Sequence, residues 1–69
     1  MQNNFGKVLK NYRKTQKLTL VNLALKSNIS FVQISNIERG LCKPSPRTIV
    51  KLAKALNVSY DDLFNESLK

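Results

Sequence analysis

The chain has 69 residues and a net charge of +8, which makes it one basic domain with room for only a small core. Its 42% apolar content suffices for a helical bundle, while two Gly and two Pro leave few tight turns and weigh against an all-β fold. With no His and one cysteine, Cys42, the chain has no means to build a zinc site, a Ser/Cys–His catalytic pair or an internal disulfide, so no enzyme, metal or cofactor is expected.

Five helices are read in chain order. The first spans about Asn4 to Thr15, with Phe5, Val8, Leu9 and Tyr12 at i, i+3, i+4 and i+7 and with Lys7, Lys10, Arg13 and Lys14 mostly off that stripe. The second runs about Leu20 to Lys26 behind Thr19 as N-cap. Leu23 and Ala24 face inward, and Ala24 is small enough for the next helix to pack close. The break Ser27-Asn28-Ile29 places Asn28 where a left-handed residue suits a helix end. The third helix runs about Phe31 to Arg39. Ser30 and Gln33 supply an S-x-x-Q capping box, Ile34 and Ile37 point to the core, and Gly40 terminates it.

After the loop Leu41-Cys42-Lys43-Pro44, the fourth helix starts with Ser45 as cap and Pro46 at the first position, where a missing N–H costs nothing. Its stripe is Ile49, Leu52, Ala53 and Leu56. The fifth starts at Ser59, with Ser59-x-x-Asp62 as the capping pattern and with Asp61 and Asp62 in the first turn, where the helix dipole favours anions. The fourth and fifth helices together cover about residues 46–66. No repeat, linker, signal-peptide core or apolar run of membrane-spanning length interrupts the single domain over 1–69, so a cytoplasmic protein is expected. Cys42 is either a passive small side chain or an exposed thiol open to oxidation.

Charge is unevenly placed. Residues 1–60 hold 11 Lys/Arg and one acid, Glu38, whereas residues 61–69 hold three acids and one Lys. Two capped helices joined by a short polar break, about 19–39, on a basic body point to a phosphate-bearing partner.

The words FGKVLKNYRK, LTLVNLALKSNIS, ISNIERG, PSPRTIVKLAKALNVS and YDDLF, in this order, resemble the Cro/repressor-like helix-turn-helix family, also called the xenobiotic-response-element family. Phage and plasmid repressors and restriction–modification controller proteins belong to it. The resemblance covers about residues 5–64 and implies an all-α, five-helix lambda-repressor-like domain. It implies a bacterial or phage-encoded, nucleoid-associated transcriptional regulator that binds double-stranded DNA as a homodimer on a palindromic operator. The third helix would lie in the major groove.

Carried over by position, the base-contacting residues are Phe31, Val32, Gln33, Ser35 and Asn36. Asn36 is the favoured direct reader, because its amide pairs bidentately with adenine. Phe31 and Val32 suit thymine methyls, so the half-site is expected to lean to A·T. Gln33 is either held in its capping box or free for a base, Val32 either packs on the second helix or faces DNA, and Phe31 either enters the core or stands exposed. Phosphate contacts are expected from Thr19, Ser30, Arg39, Lys43, Arg47 and Asn11. Arg13 and Glu38 occupy the positions of a structural ion pair. The dimer surface is expected around Val58, Tyr60, Leu63, Phe64 and Leu68, with Leu63 also closing the core.

The chain departs from the family at Leu20 and Val21, where Gln and an acid are common. Leu20 offers no side-chain phosphate contact. The apolar set Leu20, Val21 and Leu25 either packs, Leu20 against Phe31, or forms a surface for a protein partner. The alternative function is accordingly a protein-binding module such as an antitoxin or anti-repressor partner, and RNA polymerase is a further possible partner.

Overall fold

Each apolar stripe in this chain is bracketed by its own start and stop signals, and the helices obey them. The computed structural model describes residues 5–67, and the side chains of residues 5–64. Among the described residues the elements are α1 (Phe5–Thr15), α2 (Leu20–Ser27), α3 (Phe31–Glu38), α4 (Pro46–Leu56) and α5 (Tyr60–Ser67), with no strand. The expected all-α, five-helix architecture is the one observed. The expected start of α1 at Asn4 lies outside the described residues.

Three boundaries move by one residue, the simplest being the end of α5, at Ser67 in place of 66. α2 extends through Ser27, whose Oγ donates to the Leu23 carbonyl at 2.7 Å and so follows the helix rather than opening the turn. α3 stops at Glu38, and Arg39 serves as its C-cap.

The starts are chemically alike. Thr19, Ser30 and Ser45 have extended backbones, and their hydroxyl oxygens accept the N–H three residues on at 3.0, 3.1 and 3.3 Å. Ser59 accepts the Asp62 N–H at 3.0 Å in the same way. The stops share a left-handed residue: Lys17, Asn28, Gly40 and Asn57 have φ of 58°, 58°, 76° and 59°. Asn28 and Gly40 were expected in this role; Lys17 and Asn57 were not. Past Gly40, its N–H reaches the Ile37 carbonyl and the Leu41 N–H reaches Asn36, at 3.1 and 2.9 Å. Past Lys17, the equivalent bonds reach Lys14 and Arg13 at 2.9 and 3.0 Å. Both are Schellman closures that satisfy the last carbonyls of a helix.

α2 packs on α3 and α4, α1 on α3 and α5, and α4 on α5. The shared core is Phe5, Leu9, Leu23, Ile29, Ile34, Ile37, Ile49, Leu52, Ala53, Leu56 and Leu63. The seven largest fully buried side chains are Leu or Ile, each contributing about 1.5–3 kcal/mol of transfer free energy. The Gln16 Nε2 donates to the Leu56 carbonyl at 2.6 Å and ties the end of α1 to the end of α4. Among the described residues no helix is long and apolar enough to cross a membrane.

One expected surface residue is corrected here. Leu63 is fully buried, so it belongs to the core alone and is not available to a dimer interface. The reason is its place on α5: Asp61 and Asp62 take the exposed side of the first turn, leaving Leu63 to point at the other helices.

Candidate nucleic-acid interface

α3 sorts its side chains by helical spacing. Ile34 and Ile37, three apart, are buried and anchor one face. Val32 and Asn36, four apart, leave from a different face. Val32 is 65% exposed and Phe31 46%, so neither is spent on the core. Gln33 is exposed, while Ser35 and Asn36 are half-buried. The first turn therefore presents two apolar side chains and an amide to solvent, with a second amide one turn later.

The far end of α3 is fixed by an ion pair. Arg13 Nε and Nη2 donate to Glu38 Oε2 and Oε1 at 2.7 and 3.0 Å, a bidentate fork, and Nη1 donates to the Leu18 carbonyl at 2.8 Å. Both side chains are nearly buried, at 10% and 6% exposure. Each nitrogen of this guanidinium has a protein acceptor, so Arg13 is committed to holding α3 against α1. Beside it, α1 approaches α3 so closely at Gly6 that a methyl there would run into the backbone carbonyls of Ile37 and Glu38, the latter oxygen at 2.9 Å. Sequence reasoning missed Gly6. Its signal was a glycine inside a helix, a position that otherwise only weakens the helix.

The electrostatic consequence follows directly. Glu38 is the one acid in residues 1–60, and it is neutralised by Arg13 inside the molecule. α1–α4 carry no other carboxylate; Asp61 and Asp62 lie apart, in the first turn of α5.

Of the residues expected near phosphates, Thr19, Ser30, Arg39, Lys43 and Arg47 are all exposed. They sit at the start of α2, the start of α3, the end of α3, the loop before α4, and the start of α4. Helix starts carry unpaired N–H groups and the positive end of the dipole, which suits them to anions. Asn11 stands apart. It lines a shallow groove of about 230 Å³ with Val8, Tyr12 and Thr15. At two residues from Arg13 it leaves α1 on nearly the opposite side from the α3 junction.

The apolar set on α2 divides. Leu20 packs partly against the core, whereas Val21 and Leu25 are 54% and 77% exposed. On α5, Tyr60 is half-buried and its ring stacks on that of Phe64, with centroids 5.6 Å apart. Val58 is half-buried against the core. Phe64 and, on α4, Val50 are exposed at 36% and 38%, and Val50 was not anticipated. Leu68 lies outside the described residues. Cys42 is a free, exposed thiol.

Comparison with known proteins matches this arrangement. The family model described as helix-turn-helix matches residues 9–63. The HTH-type transcriptional repressor RghR of Bacillus subtilis (strain 168) is 45% identical over 60 residues, which is 86% of this chain and 44% of that protein. The restriction–modification controller protein C.AhdI from Aeromonas hydrophila superposes with a TM-score of 0.85 at 33% identity, covering 88% of this chain and 92% of that one. SinR, a master regulator for biofilm formation crystallised in complex with DNA, superposes with a TM-score of 0.81 at 35% identity, covering 86% and 95%. The chain spans less than half the length of the curated relatives it matches.

Proposed function

The chain belongs to the helix-turn-helix family, and from that premise we propose that it is the operator-reading domain of a transcriptional regulator and works as a homodimer on a palindromic DNA site. The observation that carries this reading is the division of α3. Its inner side and far end are buried and clamped, while Phe31, Val32 and Gln33 are exposed and Asn36 is half-buried, on a body whose one acid in residues 1–60 is sequestered.

In this reading α3 lies in the major groove. Asn36 pairs with adenine, and Phe31 and Val32 cover thymine methyls. Ser35 and Gln33 flank them. Thr19, Ser30, Arg39, Lys43 and Arg47 hold the phosphates on either side and set the register. Arg13 and Glu38 position α3 without touching DNA. Phe64 and the Tyr60 ring it stacks on form the two-fold surface together with Val58 and Val50, which places two copies of α3 about one DNA turn, ~34 Å, apart. Occupying such a site represses by blocking polymerase or activates by touching it. That the similar proteins include a named repressor and a regulator crystallised with DNA supports the reading.

Selection from a random duplex library tests it. The expected product is a palindromic, A·T-leaning site bound with steep salt dependence, and Phe31→Ala with Asn36→Ala should abolish that preference. A library that yields no enriched site, or a double variant that reads the same site as the parent, would remove α3 from the reading role. Loss of binding to another protein on Leu25→Lys, with DNA binding intact, would instead favour the α2 face as the working surface.

A further inference from the structure

Two exposed apolar side chains assigned to the two-fold surface each stand beside a charge, and the charges have opposite sign. On α4, Lys54 follows Val50 by four residues and shares its face. On α5, Asp61 precedes Phe64 by three residues and shares its face. Val50 and Phe64 are exposed, and so are Lys54 and Asp61. Neither Lys54 nor Asp61 has an ion-pair partner among the described residues. Helix dipoles account for the signs, since Lys54 lies in the last turn of α4 and Asp61 in the first turn of α5. They do not account for the face on which each charge stands.

Val50, Ala53 and the C-cap Asn57 lie at i, i+3 and i+7 on α4, within about 60° of one another around the helix. On that side Asn57 takes its left-handed φ of 59°, and the Val58 N–H returns to the Ala53 carbonyl at 3.0 Å. The chain therefore leaves for α5 from the Val50 side of α4, and α5 packs back on α4. A two-fold axis on this surface has three settings. Through Phe64 it gathers two acids at the seam, and through Val50 two cations, so like charges repel. Between the two it lays Phe64 of one copy on Val50 of the other, symmetry repeats the contact, and Asp61 faces Lys54 twice.

We propose that the occupant of this surface is a second copy of the chain held in the exchanged register, α4 of one copy against α5 of the other, and that Lys54 and Asp61 select that register. Salt then acts on assembly as well as on phosphate contacts. The proposal rests on the homodimer reading above.

Sedimentation equilibrium at low salt, without DNA, measures the dimer Kd of the parent, Asp61→Lys, Lys54→Glu and the two combined. In the exchanged register each single reversal turns two attractive pairs into two repulsive ones and should weaken the dimer about tenfold. The combined variant restores both pairs with their signs swapped and should return to within about threefold of the parent. Both substitutions oppose a helix dipole, so the combined variant is the least favourable for the fold, and its recovered dimer owes nothing to better folding. Folded single variants that dimerise as the parent does overturn the proposal, because an axis through Phe64 or Val50 only exchanges one like-charge pair for another. A combined variant no tighter than the singles overturns it too. Should a reversal not fold, Asp61→Asn carries the test: it weakens the dimer in the exchanged register and tightens it if the axis runs through Phe64. A parent that stays monomeric at every concentration, free and on the selected operator, instead removes the homodimer reading and this register with it.

Discussion

The two ends of α3 live in different worlds. At the C-terminal end, Glu38 is buried in a bidentate fork from Arg13, Gly6 of α1 presses against the last carbonyls, and Gly40 turns the chain away. At the N-terminal end, Phe31 and Val32 are exposed and the Ser30 cap is open to solvent. One eight-residue helix therefore has a rigid mount and a free tip. Recognition needs both, because base-edge contacts depend on tight placement, and a helix this short does not hold its own position in water. Stability is concentrated at the mount and specificity at the tip, so substitutions at the two ends should separate cleanly.

The largest effect is expected from breaking the mount. Arg13→Met strands Glu38 in the interior and should cost about 3–5 kcal/mol, whereas Arg13→Met with Glu38→Leu should cost distinctly less, since no lone charge remains buried. Urea unfolding of the three proteins measures the difference, and equal losses for the single and double variants would mean the pair is not what holds α3. Gly6→Ala comes next. Its methyl meets backbone rather than a movable side chain, so helices α1 and α3 must part, at about 3 kcal/mol. A melting temperature unchanged or raised, as Ala in a helix ordinarily produces, would show that the approach relaxes freely.

Asn36→Ala should leave stability nearly untouched and cost about 1–3 kcal/mol of discrimination at a single base pair, read by competition between operators altered one position at a time. A uniform loss over all sequences would reassign Asn36 to the backbone. The smallest effect concerns neither end of α3. Lys17→Gly relieves the left-handed conformation at the end of α1 and should stabilise by about 1 kcal/mol, a few degrees by thermal melt.

Local signals read well because they are local. Thr19, Ser30, Ser45 and Ser59 were legible as caps since a hydroxyl bonds an N–H three residues away in the same stretch of chain. Ile34 and Ile37 were legible by spacing. Lys17 was missed because a lysine carries no left-handed signature, whereas Asn57 carries the same one as Asn28 and was passed over behind the stronger Ser59 cap that follows it. Leu63 was read partly as surface because an apolar residue near a chain end does not announce which side of its helix is covered.

From residues alone one obtains five helices, their caps, the stripe that faces inward, a basic body and the resemblance that assigns α3 its role. These follow from short-range bonding and from the 3.6-residue period, which are present in any stretch of the chain taken by itself. Which exposed apolar residues are spent on the core, why Gly6 is glycine, and the use of all three nitrogens of Arg13 come only from packing. Apart from the Leu18 carbonyl, which Arg13 meets five residues on, they depend on partners 25 or more residues away, with Arg13 reaching Glu38 and Gln16 reaching Leu56, and on clearances of a few tenths of an ångström that no pattern of residue types encodes.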